Sequence, residues 1–395
     1  MANRYWVGGS GTWGASSTTN WSTTSGGASG ASVPTVADVA IFDQAATYTV
    51  AINGPGNRTA LALLNTAGTV TFAGGAGLRL GGLTLTATAV WDRTESLYFT
   101  IAGTHTIDTK GVTFSSLNIT FDSVGTTWTL ASDFVGVDNG VTVGSGLLDL
   151  NGFTFSTNAI FLYAYGPSYE PVDTELRMNS STLSTNAFVI EMLPWPSTAV
   201  PVITGPGTIE LFGGPSYPIY FGWTTYLPPD PADTRIVAFP TVQHTGEGIL
   251  IIAGASTFES FESSSTAGAV TFTAGTTYTF GAFDVNGAPA ALKTLTAQSD
   301  GYTEATQATL SKSTPWLVGA NSVDAGNNTG LTFANGGGVD YLEISNILAA
   351  GVPFSGWVLI DDSQTANWQN VSNAQTPAWG PIDNAQTPGW TPVNT

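Results

Sequence analysis

Apolar and polar residues alternate in short triplets along most of this chain. Over residues 44–160, Val70-Thr71-Phe72, Leu83-Thr84-Leu85, Phe99-Thr100-Ile101 and Leu117-Asn118-Ile119 are followed by Trp128-Thr129-Leu130, Val141-Thr142-Val143, Leu148-Asp149-Leu150 and Phe153-Thr154-Phe155. A period of two puts alternate side chains on opposite faces of a strand, so each triplet predicts a short strand with one buried face. β-Branched and aromatic residues fill the apolar positions, and stretches with a helical period are nearly absent. The triplets follow one another closely, at a spacing that β-sandwiches also produce. Comparable triplets recur about every 20 residues, as in Phe99–Ile101, Ile119–Phe121 and Val141–Val143, which is the length of one turn of a parallel β-helix. Very short strands and Pro-poor turns favour the second architecture. The chain is therefore expected to be all-β, a right-handed parallel β-helix (solenoid) with an N-terminal cap, a loop-rich middle and an extended C-terminal tail.

The pattern changes along the chain. Residues 1–43 hold Tyr5, Trp6, Trp13 and Trp21 among closely spaced glycines. Tight turns plus large apolar rings suit a cap or anchor over the open end of a β-stack, whose edge must be covered. Residues 161–245 are dense in Pro and aromatics, as in Tyr217-Pro218-Ile219-Tyr220-Phe221-Gly222-Trp223, and predict loop insertions interspersed with strands such as Gly207–Phe212. Residues 246–360 return to strand triplets such as Val270-Thr271-Phe272 and Tyr278-Thr279-Phe280. Residues 361–395 repeat one phrase with a period of 11, placing Gln364, Gln375 and Gln386 in register and Trp368, Trp379 and Trp390 in register. That tail has too much Pro, Gly and Asn for a helix and is too short for a core of its own. Its three indoles are expected to lie on another subunit.

Composition narrows the function. Of 395 residues only 9% are charged, against roughly 25% in ordinary soluble proteins. The formal charge of −19 comes from 28 acidic and 9 basic residues, which excludes a useful basic patch for nucleic acid or anionic membranes. No Cys is present, so disulfides and thiolate metal sites are excluded. No run of 18 apolar residues exists, so no membrane insertion is expected, and Met1–Trp6 opens without the apolar stretch of a secretory signal.

The opening Tyr5-Trp6-Val7-Gly8-Gly9-Ser10-Gly11-Thr12-Trp13, with Asn20-Trp21-Ser22 and Gly30-Ala31-Ser32-Val33-Pro34 after it, resembles a motif of tailed bacteriophages. It precedes Gly/Thr/Ser-rich β-helical virion proteins of the tail-fibre, tail-spike or head-decoration type. Gly146-Leu147-Leu148-Asp149-Leu150-Asn151-Gly152-Phe153 is similar to their coil signature. The resemblance implies a virion location, other virion proteins as partners and no catalytic residues.

Candidate chemistry is sparse. β-Helices also serve as polysaccharide hydrolases, which need two carboxyl groups at a set separation. Glu170, Asp173 and Glu175, Asp230 and Asp233, and Glu259 with Glu262 are the candidates, and solvated loop charge is the stronger reading for each. His105 and His244 are the only histidines, so a His-based zinc site or a triad is not signalled. Asp133, Asp138 and Asn139, or Asp324, Asn327 and Asn328, carry oxygens suited to calcium, but without a calcium-binding repeat they read as turn residues. No metal and no cofactor are expected.

The expectation is a structural component of a tailed-phage virion, homotrimeric and not an enzyme, on the particle surface. Partner contacts fall on Trp368, Trp379, Trp390, Gln364, Gln375, Gln386, Tyr5, Trp6, Trp13 and Trp21. Tyr217, Tyr220, Trp223 and Tyr226 are the residues for contact with a host surface glycan or a neighbouring subunit. The alternatives are a polysaccharide-degrading tail spike on the same scaffold and a bacterial surface adhesin.

Overall fold

The computed structural model describes residues 1–350, except 116–117, 138–139, 165–170, 193–198, 214–217, 226–234, 264–268, 288–291, 299–306, 313–316, 319–321 and 334–341. The described chain is all-β, without helix, and is dominated by one large parallel sheet. Side chains of like character sit in register along it. One inward column runs Arg58, Leu78, Leu97, Ile119, Val141, Ile160, Phe188, Phe221, Ile252, Phe272 and Ala297. A second runs Phe134, Phe155 and Leu183 to Ile209, Val242, Phe261 and Phe283. All but Phe283 in these columns are buried. Burial of that apolar surface, at about 25 cal/mol per Å², is the main force holding one rung on the next.

Successive partners in the first column, from Arg58 to Ile160, follow one another at close to the period read from the triplets. The sequence step is longer from Ile160 to Phe188, from Phe188 to Phe221 and from Phe221 to Ile252. These longer steps coincide with the Pro-rich stretch. The ladder is not interrupted there, because Thr174–Arg177, Ser181–Met192, Gly207–Leu211, Ile219–Thr225 and Val237–His244 all remain on it.

Strands are longer than the triplets foretell. Ile119–Leu130 and Ser181–Met192 each run 12 residues. Ile119–Phe121 and Trp128–Leu130, which read as separate strands, belong to one strand that bends between them. Its register to the next rung shifts at Phe121/Asp122 and Asp122/Thr127, and Gly125 takes φ of 70° there. The periodicity counts Phe99-Thr100-Ile101 as a strand, but the strand is Leu97–Phe99. Phe99 pairs with Phe121, and Thr100 turns the chain out of the rung. Alternation could not separate these registers because Leu97, Phe99 and Ile101 all fall on one parity.

The first edge of the sheet is built differently. Ala2–Trp6 lies parallel to Asp38–Phe42, and Trp21–Ser22 lies antiparallel on Ala2–Trp6. Trp6, Trp13 and Trp21 are at most 1% exposed. Trp21 meets Trp6 and Trp13 edge-on at 5.1 and 5.2 Å between ring centroids, and all three rings contact Phe42 at 5.8 to 6.2 Å. Phe42 continues inward to Phe72, Trp91, Phe114, Phe134 and Phe155, at 4.6 to 5.5 Å per step. The glycines of the opening motif have a direct physical reason. A Cβ on Gly8 would stand 2.2 Å from Oδ1 of Asn20, and one on Gly11 would stand 2.9 Å from its Nδ2. Asn20 sits in that gap and bonds the loop through Nδ2 to Thr12 O, at 3.0 Å, while its own carbonyl accepts from Val7 N at 2.8 Å.

Candidate functional site

Polar side chains are also stacked, on the outer side of the second column. Ser184, Glu210, Gln243, Glu262 and Asp284 occupy one outward row on consecutive rungs. Thr182, Thr208, Thr241 and Ser260 form the row beside it. Alternation puts them outside because Ile209, Val242 and Phe261 between them point into the core. Ser184 Oγ donates to Glu210 Oε2 at 3.1 Å, and Gln243 Nε2 donates to Glu262 Oε2 at 2.8 Å. Thr245 Oγ1 reaches Glu210 Oε1 at 3.3 Å. Rungs are spaced about 4.8 Å, which puts the Glu210 and Glu262 backbones roughly 10 Å apart and those of Glu262 and Asp284 roughly 5 Å apart. The face is rich in acceptors and hydroxyls and suits a polyhydroxylated ligand. Of the carboxylates singled out in the sequence, Glu262 lies in this row, whereas Glu259 is exposed beyond it. Glu210 and Asp284 escaped notice because their proximity depends on rung register, not on sequence spacing.

Asp173 is exposed, whereas several other candidate carboxylates are occupied by their own chain. Glu175 Oε1 accepts from Arg177 at 3.0 Å and from Thr204 Oγ1 at 2.7 Å. Asp133 caps Thr154 N at 2.9 Å. Asp324 Oδ1 accepts from Gly326 N and from Asn328 Nδ2, while Asn327 has φ of 57°, so this trio is a turn. Among the described residues no three His, Cys, Asp or Glu side chains converge as metal ligands. Glu170, Asp230, Asp233, Asp138 and Asn139 lie outside the described residues.

The partner-contact residues divide. Trp6, Trp13 and Trp21 are core residues of this chain, so their rings are not a contact surface; the expectation that they bind a partner is corrected by their burial. Tyr5 is half-buried, with its hydroxyl accepting from Asn3 Nδ2 at 3.2 Å. Tyr220 is 53% exposed and remains available to a ligand. Trp223 is not, because it is 7% exposed, its Nε1 donates to Ala255 O at 2.7 Å, and Arg235 lies over its ring at 5.9 Å. Tyr217, Tyr226, Gln364, Trp368, Gln375, Trp379, Gln386 and Trp390 lie outside the described residues.

The sequence reading missed one buried polar pair. His244 Nδ1 meets Ser263 Oγ at 2.8 Å on the adjoining rung, and both residues are at most 1% exposed. Burial, and after it the charge of Lys293, lowers the His244 pKa to about 4, against an opposing contribution from the Gly248 backbone. Burial lowers Lys293 to about 8. The pair matches a nucleophile and base in distance alone, because substrate cannot reach either atom. His244 shares the inward parity of Val242, the one signal in the sequence that could have placed it in the core.

No known protein family, characterised protein or solved structure matches the chain.

Proposed function

We propose that the chain is a right-handed parallel β-helix and a surface structural component of a tailed-phage virion. The observation that carries this reading is the in-register ladder, with its first edge closed by Trp6, Trp13 and Trp21 over Phe42. From Arg58 to Ile160 the first column repeats at the length expected of one solenoid turn, and the Gly8/Gly11/Asn20 joint supports an end-cap role for the opening motif. In this reading residues 1–43 cap the stack and residues 44–160 and 246–360 form its turns. Residues 161–245 carry loops facing neighbouring subunits or host glycan. Residues 361–395 fasten the homotrimer to other virion proteins through Trp368, Trp379 and Trp390.

The test compares the full chain with one ending at residue 360 in particles of the phage that encodes it. The shortened chain should keep its β circular-dichroism spectrum and melting temperature but be missing from purified particles. Incorporation at the full-length level removes the proposal's anchor.

A second reading, a polysaccharide-degrading spike, is favoured by the Glu210, Glu262 and Asp284 row. Inverting hydrolases hold their carboxyl groups roughly 6.5–9.5 Å apart, a span that flexible glutamates two rungs apart can reach. Release of reducing ends from host polysaccharide, abolished in Glu262→Gln, supports it; no release from that polysaccharide at high enzyme concentration dismisses it.

A further inference from the structure

Two arginines are buried near the start of the ladder, at one corner of it. Arg58 heads the inward column that otherwise holds Leu78, Leu97 and Ile119, and it is 5% exposed. Arg93, in the connection between Val90–Asp92 and Leu97–Phe99, is 3% exposed. The loops carrying them are stacked by the ladder itself, because Val50, Phe72 and Trp91 pair on one side of the corner and Arg58, Leu78 and Leu97 pair on the other. Residues 53–57, 74–77 and 93–96 therefore form three successive layers.

Each guanidinium is tied down at one nitrogen. Arg58 Nη2 donates to the carbonyls of Pro55 and Gly56, and Arg93 Nη2 donates to the carbonyl of Ala76. The next carbonyl, that of Gly77, accepts from Arg58 N at 2.8 Å, so both arginines are anchored on adjacent residues of the middle layer. Arg93 also lies over the Trp91 ring at 5.8 Å, which holds its plane but takes up none of its N–H groups. What remains is unusual for a protein interior. Arg58 Nε, Arg93 Nε and Arg93 Nη1 are sealed from solvent and have no protein acceptor. Buried donors are nearly always paired, and a buried cation with donors left over is unfavourable without a compensating acceptor. The carboxylate that acts on Arg93, Glu95, is on an exposed position and makes no hydrogen bond to it. Gly56 and Gly75 are exposed and face solvent, whereas a Cβ on Gly74 or Gly77 would stand 2.4 Å from Ile52 O or 2.3 Å from Asn57 Oδ1, so a ligand would reach the sealed nitrogens by displacing these glycine-rich loops.

We propose that this corner binds a small anion of the phosphate or carboxylate class, taken up by the Arg58 and Arg93 guanidiniums. Arginine suits the task because its planar fork offers several donors in fixed directions and stays charged. Burial lowers the Arg93 pKa only to about 10, with Glu95 opposing the change, so the cation persists at neutral pH. A chain with net charge −19 repels anions in general, so binding here reports the two buried cations and not the surface field. The inference does not depend on the virion reading.

The full-length protein is crystallised in sodium bromide and, separately, its melting temperature is followed against phosphate, acetate and sulfate at constant ionic strength. A bromide anomalous peak within hydrogen-bond distance of Arg93 Nε or Nη1, with a melting temperature that rises with phosphate or acetate, is the expected result. Arg93→Gln should abolish both, and Glu95→Gln, which removes a competing charge, should lower the half-saturating phosphate concentration severalfold. If Arg93→Gln does not fold, the Glu95→Gln shift and the bromide position in the wild type decide alone. Ordered water at these nitrogens without an anomalous peak, bromide only at surface lysines, or an anion-independent melting temperature would each overturn the proposal.

Discussion

His244 shows how much a single buried side chain fixes. Its imidazole is neutral in the fold because burial and the nearby Lys293 charge both disfavour the cation. The folded pKa of about 4 lies below the ordinary value of 6.5, so the unfolded chain takes up the proton first as pH falls. The corresponding stability is fully present above pH 6.5 and is lost as pH drops toward 4, an effect of about 3 kcal/mol by linkage. Urea titrations at pH 7.5 and 4.5 should therefore differ by more in the wild type than in His244→Gln. Equal pH sensitivity in the two proteins would show that His244 does not control the transition. At the same scale, Gly8→Ala pushes a methyl group into Asn20, whereas the adjacent Gly9 has φ of 58° and open space around it. Gly8→Ala should lower the melting temperature, and pairing it with Asn20→Ala should recover part of the loss, since the clash is with that side chain. Residue-level roles were partly legible: the Gly8, Gly11 and Asn20 spacing is visible in the sequence, but the joint it makes is not, because it closes across a turn.

Strands and turns were legible where alternation is strict. Val141–Val143 and Ile119–Phe121 are paired as their spacing suggests, Ile119 to Val141 and Phe121 to Val143. Strand limits were not, since a bent strand and two short ones carry the same alternation. The outward row of Ser184, Glu210, Gln243, Glu262 and Asp284 was illegible for a related reason. Its steps are unequal, longest from Glu210 to Gln243 and shortest from Gln243 to Glu262, because they follow turn lengths that only the register reveals. Stacked aromatics hold these elements together. Phe134 lies between Phe114 and Phe155 with ring centroids at 5.2 and 4.6 Å and nearly parallel planes. Phe134→Ala leaves a cavity between them and should cost about 3–5 kcal/mol. Because each strand bonds only to neighbouring rungs, amide exchange should accelerate in Thr113–Ser115 and Phe155–Tyr163 before it does in Ser256–Ser263. Uniform acceleration along the whole ladder would mean that the rungs unfold as one unit.

A parallel ladder has two ends, and each end is a row of unpaired backbone groups that invites another chain. At the first end this protein places its largest side chains. Trp6, Trp13 and Trp21 surround Phe42, Ala2–Trp6 pairs with Asp38–Phe42, and the antiparallel Trp21–Ser22 turns the last edge away from further parallel pairing. The charge of −19 adds repulsion between copies, but it is spread over the chain and weakens once salt shortens the screening length to about 10 Å near 0.1 M. The closed edge, by contrast, does not depend on salt. Deleting residues 1–36 separates the two contributions: it uncovers Phe42 and the Asp38–Phe42 edge while changing the net charge little, because Arg4 is the one charged side chain removed. The truncated protein should stay dispersed at low salt and associate as sodium chloride is raised, whereas the full-length chain should stay dispersed throughout. Light scattering across that titration reads the difference. A truncated chain that remains monodisperse in high salt with an unchanged melting temperature would show that the tryptophan segment closes nothing, and the end-cap reading of residues 1–43 would fall with it.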